Sequence, residues 1–279
     1  MMNSETPLVS VCIPTFQHYQ YISQCIDSVL DQKTNFLFEI ILGEDQSNDG
    51  TREICKAYAV KFPEQIRLFL RKDEDKIYIR GRKSGRSNYL ENFRSARGKY
   101  IAMLDGDDCW IRNDKLQNQV NILEAHPEAF FCSTEFHVGE QIPESPTSKE
   151  DVEDYNNFQQ TSNTKKSYSG HVSNWLFRNE LEDFLSNPIA TKAPILDMML
   201  FSFFKKKGTL IHLQEKTSFY RVNKNSYHIQ KGNGANYKDL FWSSWYQFIY
   251  LHRDPKEFMR FIGYLVKKII RDRKTHQLK

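Results

Sequence analysis

Three carboxylates stand within four positions at the end of an apolar run. The stretch "KYIAMLDGDDCW", residues 99–110, passes from apolar residues directly into Asp105, Asp107 and Asp108. Carboxylates this close repel one another and are costly beside a buried strand unless a cation or hydrogen-bond donors compensate. Mg²⁺ and Mn²⁺ prefer oxygen ligands and leave part of their shell to phosphates and water. The cluster therefore indicates a divalent-cation site for a phosphate-bearing substrate. Capping of the next turn by Asp107 and Asp108 is the alternative.

The patterning around this cluster predicts an α/β fold. Strands are predicted at "LVSVCIP", "FEIILG", "IRLFL" and "YIAMLD", and helices at "YISQCIDSVLDQ", "SNDGTREICKAYAVKF", "NYLENFRSA" and "NDKLQNQVNILEAHP". This alternation predicts right-handed βαβ units and a mostly parallel, Rossmann-like central sheet flanked by helices. Ligands of such sheets bind beyond the carboxyl ends of the strands, which is where the acidic cluster falls.

The second half of the chain follows a different pattern. After a strand at "AFFCST", residues 139–166 are polar, acidic and nearly free of aliphatic side chains, so we predict a long surface loop. A helix is predicted at "LDMMLFSFFKK", strands at "TLIHL" and "TSFYRV", and an aromatic-rich helix at "DLFWSSWYQFIYLH". No glycine-rich phosphate-binding motif of the dinucleotide or Walker type follows the first strand.

Composition narrows the class of protein. The 279 residues are 39% hydrophobic, and no stretch approaches the ~20 apolar residues that span a bilayer. Five cysteines without a C-x-x-C pair argue against a disulfide framework and a zinc knuckle, so we expect a cytoplasmic location. Residues 253–279 carry nine Lys or Arg and three Asp or Glu. The excess of positive charge in this segment is larger than the net charge of the whole chain, which is +4. The basic character belongs to this tail, and nucleic-acid binding is not expected.

Four segments, taken in order, resemble one enzyme family. "VSVCIPTF", "EIILGEDQSNDGT", "ARGKYIAMLDGDDCW" and "KLQNQV" together resemble the family 2 glycosyltransferases of the GT-A fold, particularly bacterial members that build capsule, O-antigen and other surface polysaccharides. The resemblance implies inverting, metal-dependent transfer of a sugar from a nucleoside diphosphate donor, expected to be UDP-linked, to a glycan or polyprenyl-linked acceptor. The implied cofactor is Mn²⁺ or Mg²⁺.

The resemblance also implies a donor site. The implied nucleotide-binding residues are Pro14, Thr15, Phe16, Asp45 and Asp105. Asp45 would accept a hydrogen bond from a uracil N–H, while the turn at residues 14–16 would lie against the base. Asp105 would lie near the ribose and diphosphate and contribute to metal binding, with Asp107 as the principal metal ligand.

The chain departs from the family pattern after the second strand. "EDQS" stands where the family often has Asp-Asp-Gly-Ser, so Glu44 and Gln46 replace an aspartate and a glycine. For Glu44 and Asp49 we expect turn and capping roles. The basic segment "IRGRKSGRSNY", from which Arg86 is our nucleotide-binding candidate, would hold a diphosphate or base edge; a solvated basic face is the alternative.

Inverting transfer needs a general base for the acceptor hydroxyl. By resemblance this is an aspartate that begins a helix in the second half, and Asp197 is the only carboxylate in "APILDMMLFSFFKKKGTLIHL". Complementing the helix dipole is its alternative role. His228 is a candidate metal ligand, and His171 is a candidate for the acceptor pocket; a structural role is the alternative for both. Trp110 would stack on the donor or acceptor sugar, or pack in the core.

We therefore predict one GT-A domain with distinct parts. Residues 1–110 would bind the nucleotide sugar, residues 111–252 the acceptor, and residues 253–279 would form a basic amphipathic helix. Within that helix, residues 256–274 would contact the inner face of a membrane or pack on protein.

Two other functions stay open. One is a nucleotidyltransferase that makes a sugar nucleotide, although the glycine-rich loop typical of that class does not follow the first strand. The other is a non-catalytic homologue that binds nucleotide, against which the retained acidic residues argue.

Overall fold

The computed structural model describes the chain in several ranges. These are residues 6–140, 158–161, 171–222 and 232–252, with backbone only for 158–161 and 232–236, and separate positions between 255 and 270. The chain divides into two compact units. The first comprises Met1–Ile77, Lys83–Leu181 and Phe204–Val222, and the second comprises Tyr78–Arg82, Glu182–Phe203 and Asn223–Lys279.

The described residues form strands and helices in alternation through the first half. The strands are β1 (Val9–Thr15), β2 (Phe38–Glu44), β3 (Ile66–Leu70), β4 (Ile77–Ile79), β5 (Arg82–Ser84), β6 (Tyr100–Met103), β7 (Cys109–Trp110), β8 (Ala129–Gly139), β9 (Phe158–Thr161), β10 (Leu176–Arg178) and β11 (Thr209–Arg221). The helices are α1 (Ile22–Leu30), α2 (Thr51–Lys61), α3 (Arg86–Ser95), α4 (Lys115–Ala125), α5 (Glu182–Leu185), α6 (Pro188–Lys192), α7 (Leu196–Lys207) and α8 (Gly232–Gln247), the last followed by a π-helical turn over Phe248–His252.

Nine of the described strands form the main sheet, in the order β3-β2-β1-β6-β10-β8-β11-β7, with β9 paired to β11. β3, β2, β1 and β6 are mutually parallel, as their apolar runs predict. All seven residues of β1 are buried, because a strand in the middle of a parallel sheet is covered on both faces. β10 then inserts antiparallel between β6 and β8. The carboxyl ends of β1, β2 and β6 therefore meet at one edge of the sheet.

Two predictions about the second half are wrong. "TLIHL" and "TSFYRV" belong to one strand, β11, which runs through the polar "QEK" between them with Glu215 buried and its neighbours Gln214 and Lys216 exposed. Residues 158–161 within the predicted loop form β9, antiparallel to β11, because backbone pairing does not require an apolar side-chain pattern. Residues 141–157 and 162–166 of that loop lie outside the described residues.

Lys115 is a fully buried cation in the core of the first unit. Its Nζ donates to Gln119 Oε1 at 2.5 Å and lies 4.4 Å from the centre of the Trp110 ring. Burial lowers the pKa of Lys115 to about 7, against the opposing effect of the buried Glu215 carboxylate. Folding therefore carries the cost of a charged lysine at acid pH.

Lys115→Met is expected to change how stability depends on pH. Between about pH 7 and the lysine's usual pKa near 10.5 the unfolded chain holds a proton that the folded chain lacks, so this group makes wild-type stability rise with pH in that window. The free energy of unfolding of wild type relative to Lys115→Met should fall by roughly 2 kcal/mol from pH 9 to pH 7. Urea titrations at both pH values measure this. Exposed Lys56→Met on α2 is the control, and identical pH slopes for wild type and Lys115→Met would contradict the account.

Candidate metal and nucleotide site

The acidic cluster lies in the turn after β6, at the carboxyl edge of the parallel strands. The turn is closed by the Asp108 N–H donating to Asp105 O at 2.9 Å, and it is tied to β1 by the Gly106 N–H donating to Pro14 O at 3.2 Å. A Cβ on Gly106 would stand 2.6 Å from Thr15 Oγ1 and 2.8 Å from His18 Nδ1. Glycine is therefore needed for close approach to the loop after β1.

Asp105, Asp108 and His171 form the potential metal-binding group within the described residues. One ligand atom from each lies within 4.8 Å of the others. His171 Nδ1 is 3.2 Å from Asp108 Oδ2, and His171 Nε2 is 4.0 Å from Asp105 Oδ2. The sequence places Asp108 in the carboxylate cluster, with capping as its alternative role, and predicts His171 in the acceptor pocket. The fold brings His171 to the carboxylates through a short 3-10 turn before β10, which a local motif cannot reveal.

Asp107 faces a different histidine. Its Oδ2 is 3.9 Å from His18 Nε2, and His18 Nδ1 is 3.2 Å from Thr15 Oγ1. The predicted role of Asp107 as the principal metal ligand stays a prediction. His228, the other predicted ligand, lies outside the described residues.

A layer of hydrogen bonds fixes the carboxylates. The Tyr89 hydroxyl donates to Asp105 Oδ1 at 2.5 Å, and the Ser173 hydroxyl donates to Asp108 Oδ2 at 2.6 Å. At the end of β11, the Arg221 N–H donates to Asp108 Oδ1 at 3.0 Å. Such contacts orient ligand groups before a cation binds.

The electrostatics fit a bound cation. Burial, with the adjacent carboxylates, raises the pKa of Asp105 to about 7 and also raises the pKa of Asp107. Burial alone would lower the pKa of His171, but its hydrogen bond to Asp108 and the surrounding carboxylates raise it. A divalent cation would relieve the repulsion among these anions. Because the group combines oxygen and imidazole nitrogen, it suits Mn²⁺ better than the strongly oxygen-preferring Mg²⁺.

A second polar site follows β2 at the same edge of the sheet. Asp45 is 3% exposed, and its Oδ1 has no hydrogen-bond partner among the described residues. Asp45 Oδ2 lies 3.5 Å from Lys76 Nζ, which also lies 4.3 Å from the centre of the half-exposed Phe16 ring. Burial raises the pKa of Asp45 despite the nearby ammonium. An unpaired buried acceptor of this kind suits an N–H donor from a ligand.

The neighbours of Asp45 have the structural roles expected of them. Glu44 Oε1 accepts the Ser47 N–H at 2.6 Å, and Asp49 Oδ1 accepts the Thr51 N–H at 3.0 Å in the first turn of α2. Gln46 has φ +62°, so the residue that replaces the family's glycine still adopts the left-handed conformation.

The remaining predicted residues lie as follows. Pro14 and Thr15 are buried at the end of β1, and Arg86 is the buried first residue of α3. Trp110 is only 4% exposed, and its Nε1 donates to Ser173 O at 2.8 Å. The position of Trp110 in the hydrophobic core favours the core-packing alternative, and its stacking on a sugar stays a prediction. Asp197 is half-buried in the first turn of α7 in the second unit, with its Oδ1 accepting the Met198 N–H at 2.8 Å.

Comparison with known proteins assigns the family. Residues 10–185 match the family model described as Glycosyl transferase family 2. The chain belongs to this family. It is 36% identical over 129 residues to the "Putative teichuronic acid biosynthesis glycosyltransferase TuaG" of Bacillus subtilis (strain 168), covering 46% of this chain and 47% of that protein. It is 34% identical over 149 residues to an "Uncharacterized glycosyltransferase" of Haemophilus influenzae, and the match covers 51% of this chain and 54% of that protein. The chain thus spans about half the length of these two curated relatives.

Solved structures show that this family 2 chain has the GT-A fold. The "Mannosyltransferase PcManGT from Pyrobaculum calidifontis in complex with GDP-Man and Mn2+" aligns with TM-score 0.63 at 20% identity over 94% of this chain and 70% of that one. Staphylococcus aureus TarS 1-349 in complex with UDP-GlcNAc aligns with TM-score 0.62 at 15% identity, over 92% of this chain and 71% of that one. The mixed α/β fold predicted from sequence is confirmed. Within the described residues, no helix is long and apolar enough to cross a membrane.

Proposed function

We propose that the protein is an inverting, metal-dependent glycosyltransferase that moves a sugar from a UDP-linked donor to a glycan or polyprenyl-linked acceptor during synthesis of a cell-surface polysaccharide. The observation that carries the proposal is the group of Asp105, Asp108 and His171, whose ligand atoms lie within 4.8 Å of one another beside Asp107. Family membership supports the reaction class. The teichuronic acid role printed for one relative supports a surface-polysaccharide product.

In this proposal the acidic group holds Mn²⁺ or Mg²⁺. Asp105, Asp108 and His171 are the proposed ligands, with Asp107 at the adjoining side of the turn. When bound, the ion would neutralise the charge that develops on the departing diphosphate. Tyr89 and Ser173 hold the carboxylates in place, so the site loses little freedom when the ion enters.

The pair Asp45 and Lys76 supports a donor base with an N–H next to a carbonyl. The unpaired Asp45 Oδ1 would accept the ring N–H, Lys76 would donate to the adjacent carbonyl oxygen, and Phe16 would pack against the ring. Uracil, thymine and guanine present this edge. Cytosine and adenine present an unprotonated ring nitrogen, which would leave the Asp45 carboxylate without its donor. The neighbour solved with UDP-GlcNAc favours uracil.

Asp197 is the proposed general base, which takes the proton of the acceptor hydroxyl as that oxygen attacks the anomeric carbon. The proposed acceptor-binding part is residues 111–252. Peripheral membrane contact through residues 256–274 stays a prediction, because only separate positions of that segment are described.

Release of nucleoside diphosphate from sugar nucleotides tests the donor assignment. With Mn²⁺ present, UDP-linked donors should react fastest, and ADP- and CDP-linked donors at least ~10-fold more slowly, since a lost hydrogen bond to a buried charge costs roughly 1.5–3 kcal/mol. Asp45→Asn and Lys76→Met should each erode this preference. Exposed Lys72→Met is the matched control for Lys76. Equal use of CDP- and UDP-linked donors by wild type would contradict the assignment.

A further inference from the structure

One side of α8, in the second unit, carries exposed aromatic rings. Trp242 is 40% exposed and Tyr250, in the π-helical turn that follows, is 38% exposed. The rings of Tyr246 and Tyr250 lie 6.0 Å apart between centres and within 13° of parallel. Trp242 and Tyr246 are four residues apart and therefore project from the same side of the helix. Trp242 and Tyr250 are exposed and Tyr246 is half-buried, and such a row of large rings at the surface indicates a binding surface.

An ion pair stands at the Trp242 end of this row. Arg80 Nη1 donates to Asp239 Oδ1 at 2.9 Å, and the Arg80 guanidinium carbon lies 6.0 Å from the centre of the Trp242 ring. The Arg80 side chain is 37% exposed and that of Asp239 is 15% exposed. The row thus combines flat apolar faces with a donor and an acceptor.

The backbone at Arg80 is itself unusual. Arg80 has φ +51° and Gly81 has φ +77°, at the two-residue turn between β4 and β5. Turns of this kind favour asparagine, aspartate or glycine at both positions, so an arginine there carries a conformational cost. A side chain kept in such a conformation points to a role for that side chain.

The Arg80–Asp239 ion pair favours one class of ligand for this surface over others. An acyl chain or an apolar protein helix would desolvate the Arg80–Asp239 pair without returning hydrogen bonds, which is costly. A pyranose chain would place its ring C–H groups against the negative faces of the aromatic rings. Its hydroxyl groups would hydrogen-bond to the exposed Arg80 guanidinium and to the accessible part of the Asp239 carboxylate.

We propose that Trp242, Tyr246 and Tyr250, together with Arg80 and Asp239, bind the pyranose chain of the acceptor glycan. The proposal rests on the proposed function, because it assigns part of the acceptor site of the same enzyme. Binding to this row would favour long acceptors over single sugars.

Native gel electrophoresis through immobilised polysaccharide tests the proposal with the full chain. The probes are dextran, a neutral pyranose polymer, alginate, an acidic one, and polyphosphate, an anionic polymer without sugar rings. Dextran or alginate should retard wild type, and polyphosphate should not. Trp242→Ala and Trp242→Leu should weaken this retardation at least ~10-fold, whereas Trp242→Phe, which keeps an aromatic face, should retain most of it.

Three results would overturn the proposal. Failure of both pyranose polymers to retard wild type, or equal retardation of Trp242→Leu, excludes recognition through the ring face. Co-sedimentation with anionic phospholipid vesicles that survives in Trp242→Leu but not in Trp242→Ala, without polysaccharide binding, would identify a membrane surface instead.

Metal-dependent UDP binding, measured on the same variants, separates this inference from the proposed function. Wild type that binds UDP but no polysaccharide would overturn the inference and leave the donor assignment standing. Polysaccharide retardation that depends on Trp242, without UDP binding, would support the glycan-binding surface and contradict the donor assignment. Unchanged UDP binding in the Trp242 variants also shows that their first unit is folded, and polysaccharide binding by Trp242→Phe is the control for the second unit.

Discussion

Asp108→Asn is expected to lower sugar transfer at least ~100-fold, because a metal ion that stabilises charge in the transition state contributes several kcal/mol. The substitution keeps the size of a side chain that is 1% exposed and contacts Ser173 and Arg221, so the fold should persist. The loss should appear also as a rise in the Mn²⁺ concentration needed for half-maximal rate. Initial rates of UDP release across a Mn²⁺ series measure both.

Asp31→Asn, at an exposed carboxylate after α1, is the control for Asp108→Asn and should behave as wild type. Full activity of wild type in the presence of EDTA would contradict a catalytic metal. Full activity of Asp108→Asn at low Mn²⁺ would remove Asp108 from the ligand set while leaving Asp105 and His171 to be tested in the same way.

Asp197→Asn is expected to lower kcat by a factor of ~10²–10⁴, the usual contribution of a general base. Donor binding should be unchanged, because the residue acts on the acceptor hydroxyl. If Asp197 only complements the dipole of α7, the variant would lose at most ~1 kcal/mol of stability and keep its activity. Transfer rates and UDP affinity, measured together, separate the two roles.

Glu182→Gln is the matched control for Asp197→Asn, since Glu182 is another carboxylate in the first turn of a helix in the second unit and is exposed. Transfer by Asp197→Asn within about threefold of wild type would contradict the assignment of the base.

The first half of the fold could be predicted because its strands have a clear apolar pattern in the sequence. β1, β2 and β6 are short apolar runs buried on both faces, and the carboxylates follow β6 directly in the sequence. The sequence predicts two strands in place of β11 because the polar "QEK" is typical of a break, although Glu215 is buried within the strand. The pattern of a sequence records local burial better than it records which strand pairs with which.

The surroundings of the acidic cluster could not be predicted, because they come from distant parts of the chain. Ser173 and Arg221 reach Asp108 from 65 and 113 residues further along. His171 reaches it from the same 3-10 turn as Ser173. Lys76 belongs to no sequence motif that marks a site, and its position beside Asp45 depends on the path of the chain after β3. For Trp110 the sequence leaves sugar stacking and core packing both open, because an aromatic residue beside a polar site has the same sequence pattern in either case.

Calorimetric titration of UDP into wild type and Asp108→Asn, each with Mn²⁺ and with EDTA, tests the central claim most directly. The account predicts that wild type binds UDP with Mn²⁺ and at least ~10-fold more weakly with EDTA, and that Asp108→Asn loses most of the Mn²⁺-dependent gain. Equal UDP affinity with Mn²⁺ and EDTA, or no UDP binding under either condition, would contradict a metal-dependent donor site at this turn.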